Sequence, residues 1–178
     1  PVVWFMAIFM ILGFGIVTAT PISAQSRDKL TIGVTQFPST LNPIIDSMLV
    51  KSYVLAMARR QVSIIGHDWE AMCQLCTELA TFENGRAEKF QVMGKNGEPT
   101  GETGARTRFT LRDDAFWGDG VPVTTADVVF TWKVGKHPET GVSDFRSFQD
   151  ILDIEVKDDK TFTVVSRKLD YRYYAMSG

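Results

Sequence analysis

One stretch, "RFTLRDDAFWGDGVPVTTADVVFTW" (residues 108–132), constrains the fold more than any other. It begins with strict alternation: Phe109 and Leu111 point one way, and Arg108, Thr110 and Arg112 the other, which predicts a strand with one apolar face. An aromatic corner, Phe116-Trp117-Gly118, then runs into Asp119-Gly120. Glycine at 120 permits the positive φ that a tight turn needs. Thr124 or Thr125 is a good helix N-cap, and Asp127 suits the first turn by the helix dipole. Ala126, Val129 and Phe130 follow an i, i+3, i+4 pattern, widened by Val128 and Trp132. His137-Pro138 closes the helix. A strand therefore enters a sharp corner, and a helix packs back on its sheet through core aromatics.

The rest of the chain supports a mixed α+β fold. "KLTIGVTQ" (residues 29–36) alternates and is rich in β-branched residues, predicting a strand. "FPSTLNP" follows as a loop punctuated by Pro38 and Pro43. "SMLVKSYVLAMARR" places Leu49, Val50, Tyr53, Val54 and Met57 at helical spacing, with Arg59 and Arg60 at the negative end. Residues 61–85 predict two short segments around a loop, with a turn at Asn84-Gly85. The polar run from Arg86 to Ala105 predicts a β-ribbon turning at Asn96-Gly97. "DIEVKD" and "TFTVVSRK" predict a hairpin around Asp158-Asp159-Lys160.

The N-terminal 24 residues, "PVVWFMAIFMILGFGIVTATPISA", contain no charge. An apolar run ending in small residues predicts a secretory signal over 1–24, cut after Ala24. A retained membrane anchor is the alternative. Because the chain starts at Pro1 and stops after "LDYRYYAMSG", it is expected to be a piece of a longer protein. Residues 25–178 can form one domain with a real core.

Net charge is −2, and basic residues form no stripe interleaved with aromatics, so nucleic acid is excluded as a partner. There is no G-x-S-x-G, H-E-x-x-H or G-x-x-x-x-G-K, and no enzyme activity is expected. His67 and His137 fall in loops, and Asp113-Asp114 reads as a solvated pair rather than a carboxylate dyad. The two cysteines, Cys73 and Cys76, form C-x-x-C. A disulfide, two structural thiols, and a metal or redox pair all remain open, although the spacing offers no further zinc ligands and no thioredoxin-like context. No metal site and no cofactor are expected.

The stretch from Arg108 to Trp132 resembles the signature of solute-binding protein family 5, the peptide-binding components of ABC importers. The family pattern is met at Leu111, Arg112, Asp113, Trp117, Asp119, Gly120, Pro122, Val123, Thr124, Asp127, Val128 and Phe130. Thr125 departs from the pattern without disturbing the cap. "LTIGVTQFPSTLNPIIDS" is similar to the family's first strand and loop, and "VKDDKTFTVVSRKLDYRYY" to its later strand pair.

The resemblance implies the N-terminal third of a two-lobed periplasmic-binding-protein-like fold: an α/β first lobe, partial over residues 25–178, with the small extra subdomain. It also implies an exported protein in a Gram-negative-type periplasm that delivers peptides to an ABC permease in the membrane. Family members that carry nickel chelates, haem, opines or sugars leave a related small solute open. The signature itself would build the fold, and ligand contacts would come from the loop after the first strand, at Gln36, Phe37 and Ser39. Phe145 or Phe148 in "SDFRSFQDI" would approach from the subdomain. A membrane-anchored sensing or interaction module on the same fold is the alternative.

Overall fold

The structure, a computed structural model, describes residues 28–171 and 173. The expected signal segment, residues 1–24, lies outside the described residues. The chain divides after Gly33, and the architecture below belongs to the part that begins at Val34.

Ten residues, Leu49–Ala58, form α1. A two-stranded antiparallel ribbon follows, β1 (Ser63–Ile65) with β2 (Ala71–Cys73). The main sheet is built from β3 (Ala87–Met93), β4 (Pro99–Thr110), β5 (Ile151–Val156) and β6 (Thr161–Ser166). Its order is β3-β4-β6-β5, antiparallel throughout. Between β4 and β5 the chain makes α2 (Thr125–Lys136), a 3-10 turn at Pro138–Thr140 and the short α3 (Phe145–Asp150). The predicted ribbon turning at Asn96-Gly97 and the hairpin at 158–160 are both present.

The sheet forms because its alternation finds partners. Phe109 pairs with Phe162 across β4 and β6, with ring centroids 5.7 Å apart. Both rings are buried, with Leu111, Ala115, Val123, Ile154 and Val164 around them. Burying a phenyl ring contributes roughly 1.5–3 kcal/mol relative to leaving it in water. The outermost strands are irregular: register shifts between Gln91 and Met93 on β3, and between Ile151 and Asp153 on β5.

The corner closes as the sequence predicts. Trp117 N–H donates to Val121 O at 2.8 Å, Gly120 N–H to Trp117 O at 2.9 Å, and Val123 N–H to Ala115 O at 2.9 Å. Gly120 has φ +87°, which L side chains rarely adopt. Thr124 is the N-cap, and its N–H donates to Asp127 Oδ2 at 2.8 Å, half of a capping box. Thr125 fixes the helix start on the hairpin turn: its N–H donates to Asp159 O at 2.9 Å and its hydroxyl to Asp158 O at 3.0 Å.

Three expectations are corrected. The first is the face of α2. Ala126 and Phe130 are exposed, whereas Thr125 and Gly135 are buried and Val128, Val129 and Trp132 pack on the core or beside it. The helix is rotated because Thr125 is held on the turn below it, which carries Val128, Val129 and Trp132 inward at i+3, i+4 and i+7. The Trp132 indole N–H is buried with no acceptor among the described residues, while Lys136 Nζ lies 4.8 Å from the ring centroid.

The second is the aromatic corner. Phe116 and Trp117 are more than half exposed, and the small turn that carries them is closed by backbone bonds that need no burial of its rings. The third is the N-terminal strand. Residues 29–36 make no ladder among the described residues, and Leu30, Ile32 and Val34 stand exposed. A strand exists only where a neighbour receives its backbone groups, and none is offered here.

Candidate ligand-binding loop

Residues 34–48 have no regular structure beyond an isolated bridge, so their shape depends on local polar bonds. Asn42 forms an Asx turn, its Oδ1 accepting from Ile44 N–H at 3.1 Å, and Asn42 N–H donates to Thr40 Oγ1 at 3.0 Å. Ser39 Oγ donates to Asp46 Oδ2, and Ser39 N–H donates to Met48 Sδ at 3.4 Å. Asp46 has φ +60°, an uncommon conformation for a residue with a side chain.

This loop touches the segment before α3. Ile45 bridges Val142, and Ile44 O accepts from Ser143 N–H at 3.0 Å and from Ser143 Oγ at 3.2 Å. Next along, Asp144 caps α3 by accepting from Ser147 N–H at 3.4 Å and from Ser147 Oγ at 2.6 Å. Phe145 is the first residue of that helix. Stretches 99 positions apart in sequence are thereby joined.

The candidate residues separate into two groups. Gln36 is exposed, and Phe37 stands 90% exposed, an unusual state for a phenylalanine. Ser39 is tied into the loop and Phe145 is 37% exposed, and the Ile45–Val142 bridge joins the loop of Ser39 to the segment that precedes Phe145. Phe148 is structural: a methyl at Gly135 would meet its ring at 2.2 Å, so the ring fills the space that this glycine leaves on α2. Lys51 escaped the sequence reading. Its signal was a lysine inside the apolar run "MLVKSYV", at a position that turns out to be buried.

Cys73 and Cys76 are joined as a disulfide, Cα atoms 5.1 Å apart. The closed turn docks on the end of β4: Cys76 bridges Leu111, Thr77 N–H donates to Thr110 O at 2.9 Å, and Arg112 N–H to Leu75 O at 2.8 Å. Among the described residues no cluster of His, Cys, Asp and Glu could hold a metal ion. Asp114 belongs to no dyad. Arg112 donates to it through Nε at 2.8 Å and Nη2 at 2.7 Å, and this bonding lowers the carboxyl pKa.

Comparison with known proteins bears on the fold. Residues 99–177 match the family model described as bacterial extracellular solute-binding proteins, family 5, middle. The oligopeptide-binding protein of Thermus thermophilus, solved with a pentapeptide, is similar at 28% identity and a TM-score of 0.64, over 76% of this chain and 21% of that one. AppA of Bacillus subtilis, the oligopeptide-binding protein solved with a nonapeptide, shares the fold at 14% identity and a TM-score of 0.58, over 77% and 23%. NikZ of Campylobacter jejuni, solved with Ni(L-His), does so at 19% and 0.54, over 75% and 23%. No curated protein sequence matches significantly.

The fold class is therefore that of the solute-binding proteins, of which this chain covers a portion. The resemblance to solute-binding protein family 5 holds in sequence over residues 99–177 and in fold more widely. The matched part of the chain spans only 21% to 23% of the length of these three solved structures.

Proposed function

We propose that the protein to which this chain belongs is the extracytoplasmic binding component of an ABC importer. It captures peptides, or a related small solute, and delivers them to the membrane permease. One observation carries the reading: the match to the family-5 solute-binding model over the corner, α2 and the hairpin. The likeness to a protein solved with a pentapeptide supports peptide as the solute. On this reading residues 1–24 are a cleaved signal, the mature protein begins at Gln25, and the compartment is the periplasm. Residues 25–178 then supply one side of a two-lobed clamp. The Cys73–Cys76 disulfide has a structural role in that oxidising compartment.

Ligand contact falls to Gln36, Phe37 and Ser39, and to Phe145 from the subdomain. An exposed phenyl ring and a loop without its own ladder suit a ligand held by main-chain bonds and apolar contact. The test is calorimetry on the full-length parent with tri- to nonapeptides. Peptide binding is expected, with Phe37→Ala weakening it about tenfold, the equivalent of 1.4 kcal/mol. Full-length protein that binds no peptide overturns the solute, and unchanged affinity in Phe37→Ala overturns the site. Mature protein that retains residues 1–24, instead of beginning at Gln25, would favour an anchored module.

A further inference from the structure

On α1 the inward positions are not all apolar. Val50 and Lys51 are each 4% exposed, whereas Leu49, Tyr53 and Met57 are more than half exposed. A lysine stem is easily buried along apolar surface, but its ammonium belongs in water unless it meets acceptors. Three are present. Lys51 Nζ donates to Asn42 O at 3.0 Å and to the carbonyls of Ile45 and Asp46. An ammonium has three N–H donors and no acceptor, so the set is complete.

Those carbonyls need the lysine as much as it needs them. They belong to a stretch with no helix or ladder to satisfy its backbone. Asp46 sits at φ +60°, a conformation that persists only where its surroundings hold it. Each held residue leads on to something else. The Asp46 side chain accepts from Ser39, Ile45 bridges Val142, and Ile44, beside it, accepts twice from Ser143. A single ammonium thus holds Ile45, which bridges Val142, and Asp46, which accepts from Ser39, on one side of the Ile44 carbonyl that meets Ser143.

We propose that Lys51 is the positioning residue of the ligand-binding loop. It acts as a built-in cation that gathers the carbonyls of Asn42, Ile45 and Asp46, and so sets Ser39 and, across the Ile45–Val142 bridge, the segment of Phe145. The proposal rests on the reading that this loop contacts the ligand.

The test uses the full-length parent and two readouts. In hydrogen exchange, Lys51→Met should speed exchange at Ser143 by about tenfold and leave Phe109 and Val164 in the sheet unchanged. Unchanged exchange at Ser143 overturns the proposal, as does equal acceleration throughout the sheet, which marks a general loss of stability. In calorimetry with a pentapeptide, Ser39→Ala and Lys51→Met should each weaken binding, and the double variant should lose less than the two effects combined. Additive losses overturn the proposal while leaving the site reading intact. Full affinity in Ser39→Ala removes that reading, and the proposal with it, whatever exchange shows. If Lys51→Met does not fold, Lys51→Gln, which keeps a donor without the charge, should give the same pattern with smaller changes.

Discussion

The end of β4 and the stretch around Ile32 are written in the same pattern and have opposite fates. Phe109 and Leu111 alternate with polar residues and are 1% exposed; Leu30, Ile32 and Val34 alternate in the same way and are 82%, 54% and 48% exposed. β4 lies between β3 and β6, whereas residues 29–36 have no strand partner among the described residues. Alternation states which side chains share a face. It does not state that a second strand will be there to meet them.

The contrast can be broken at several points. The largest effect is expected at Phe162, which is fully buried against Phe109. Phe162→Ala should cost about 3–5 kcal/mol in urea unfolding. A loss below about 1 kcal/mol would mean that the sheet core is no better packed than the N-terminal stretch. Next is Gly120. Its added methyl would meet nothing within 4 Å, so Gly120→Ala isolates the cost of φ +87°. Thermal unfolding should show a loss of about 1 kcal/mol; no loss would mean that the corner relaxes freely.

A smaller effect is expected at Asp158, at the turn between β5 and β6. Its Oδ1 accepts from Lys160 N–H at 2.9 Å and Thr161 N–H at 2.7 Å, and these backbone bonds hold the carboxyl below its ordinary pKa. A lowered folded-state pKa means stability that is present above the unfolded value, 3.8, and is lost as pH falls through the folded one. Asp158→Asn should flatten the acid limb of the stability curve, and an unaltered limb would remove the turn from the account. The smallest effect is expected at Ile32, where Ile32→Ala should change the stability of this chain by less than about 0.5 kcal/mol. A loss of about 2 kcal/mol there would show that the exposed stretch is packed after all.

What could be read from the sequence was local. The ribbon at Asn96-Gly97, the cap at Thr124, the turn at Gly120 and the hairpin at Asp158 are each determined within a few residues, and each is present. What could not be read depended on distant parts of the chain. The face that α2 buries follows from Thr125 bonding to the carbonyls of Asp158 and Asp159, which nothing in "TTADVVFTW" announces. Phe116 and Trp117 read as core because aromatics usually are, yet in their turn both are more than half exposed. At the candidate loop, the residues after the expected strand were legible as a loop, and their junction with Val142 and Ser143 was not. Lys51 was hidden for the same reason: a charge within an apolar run has meaning only once its acceptors are in place.

The stepped outer strands of the main sheet bear on how molecules of this kind meet one another. A flat, uncharged margin is a template on which a further strand, and then a further molecule, can add. Here β3 shifts register between Gln91 and Met93 and carries exposed Glu88 and Lys89, while β5 shifts between Ile151 and Asp153 and carries exposed Asp153 and Glu155. A strand arriving at either margin of this sheet would meet a broken row of bonding groups and charged side chains, which makes extension of the sheet there unfavourable.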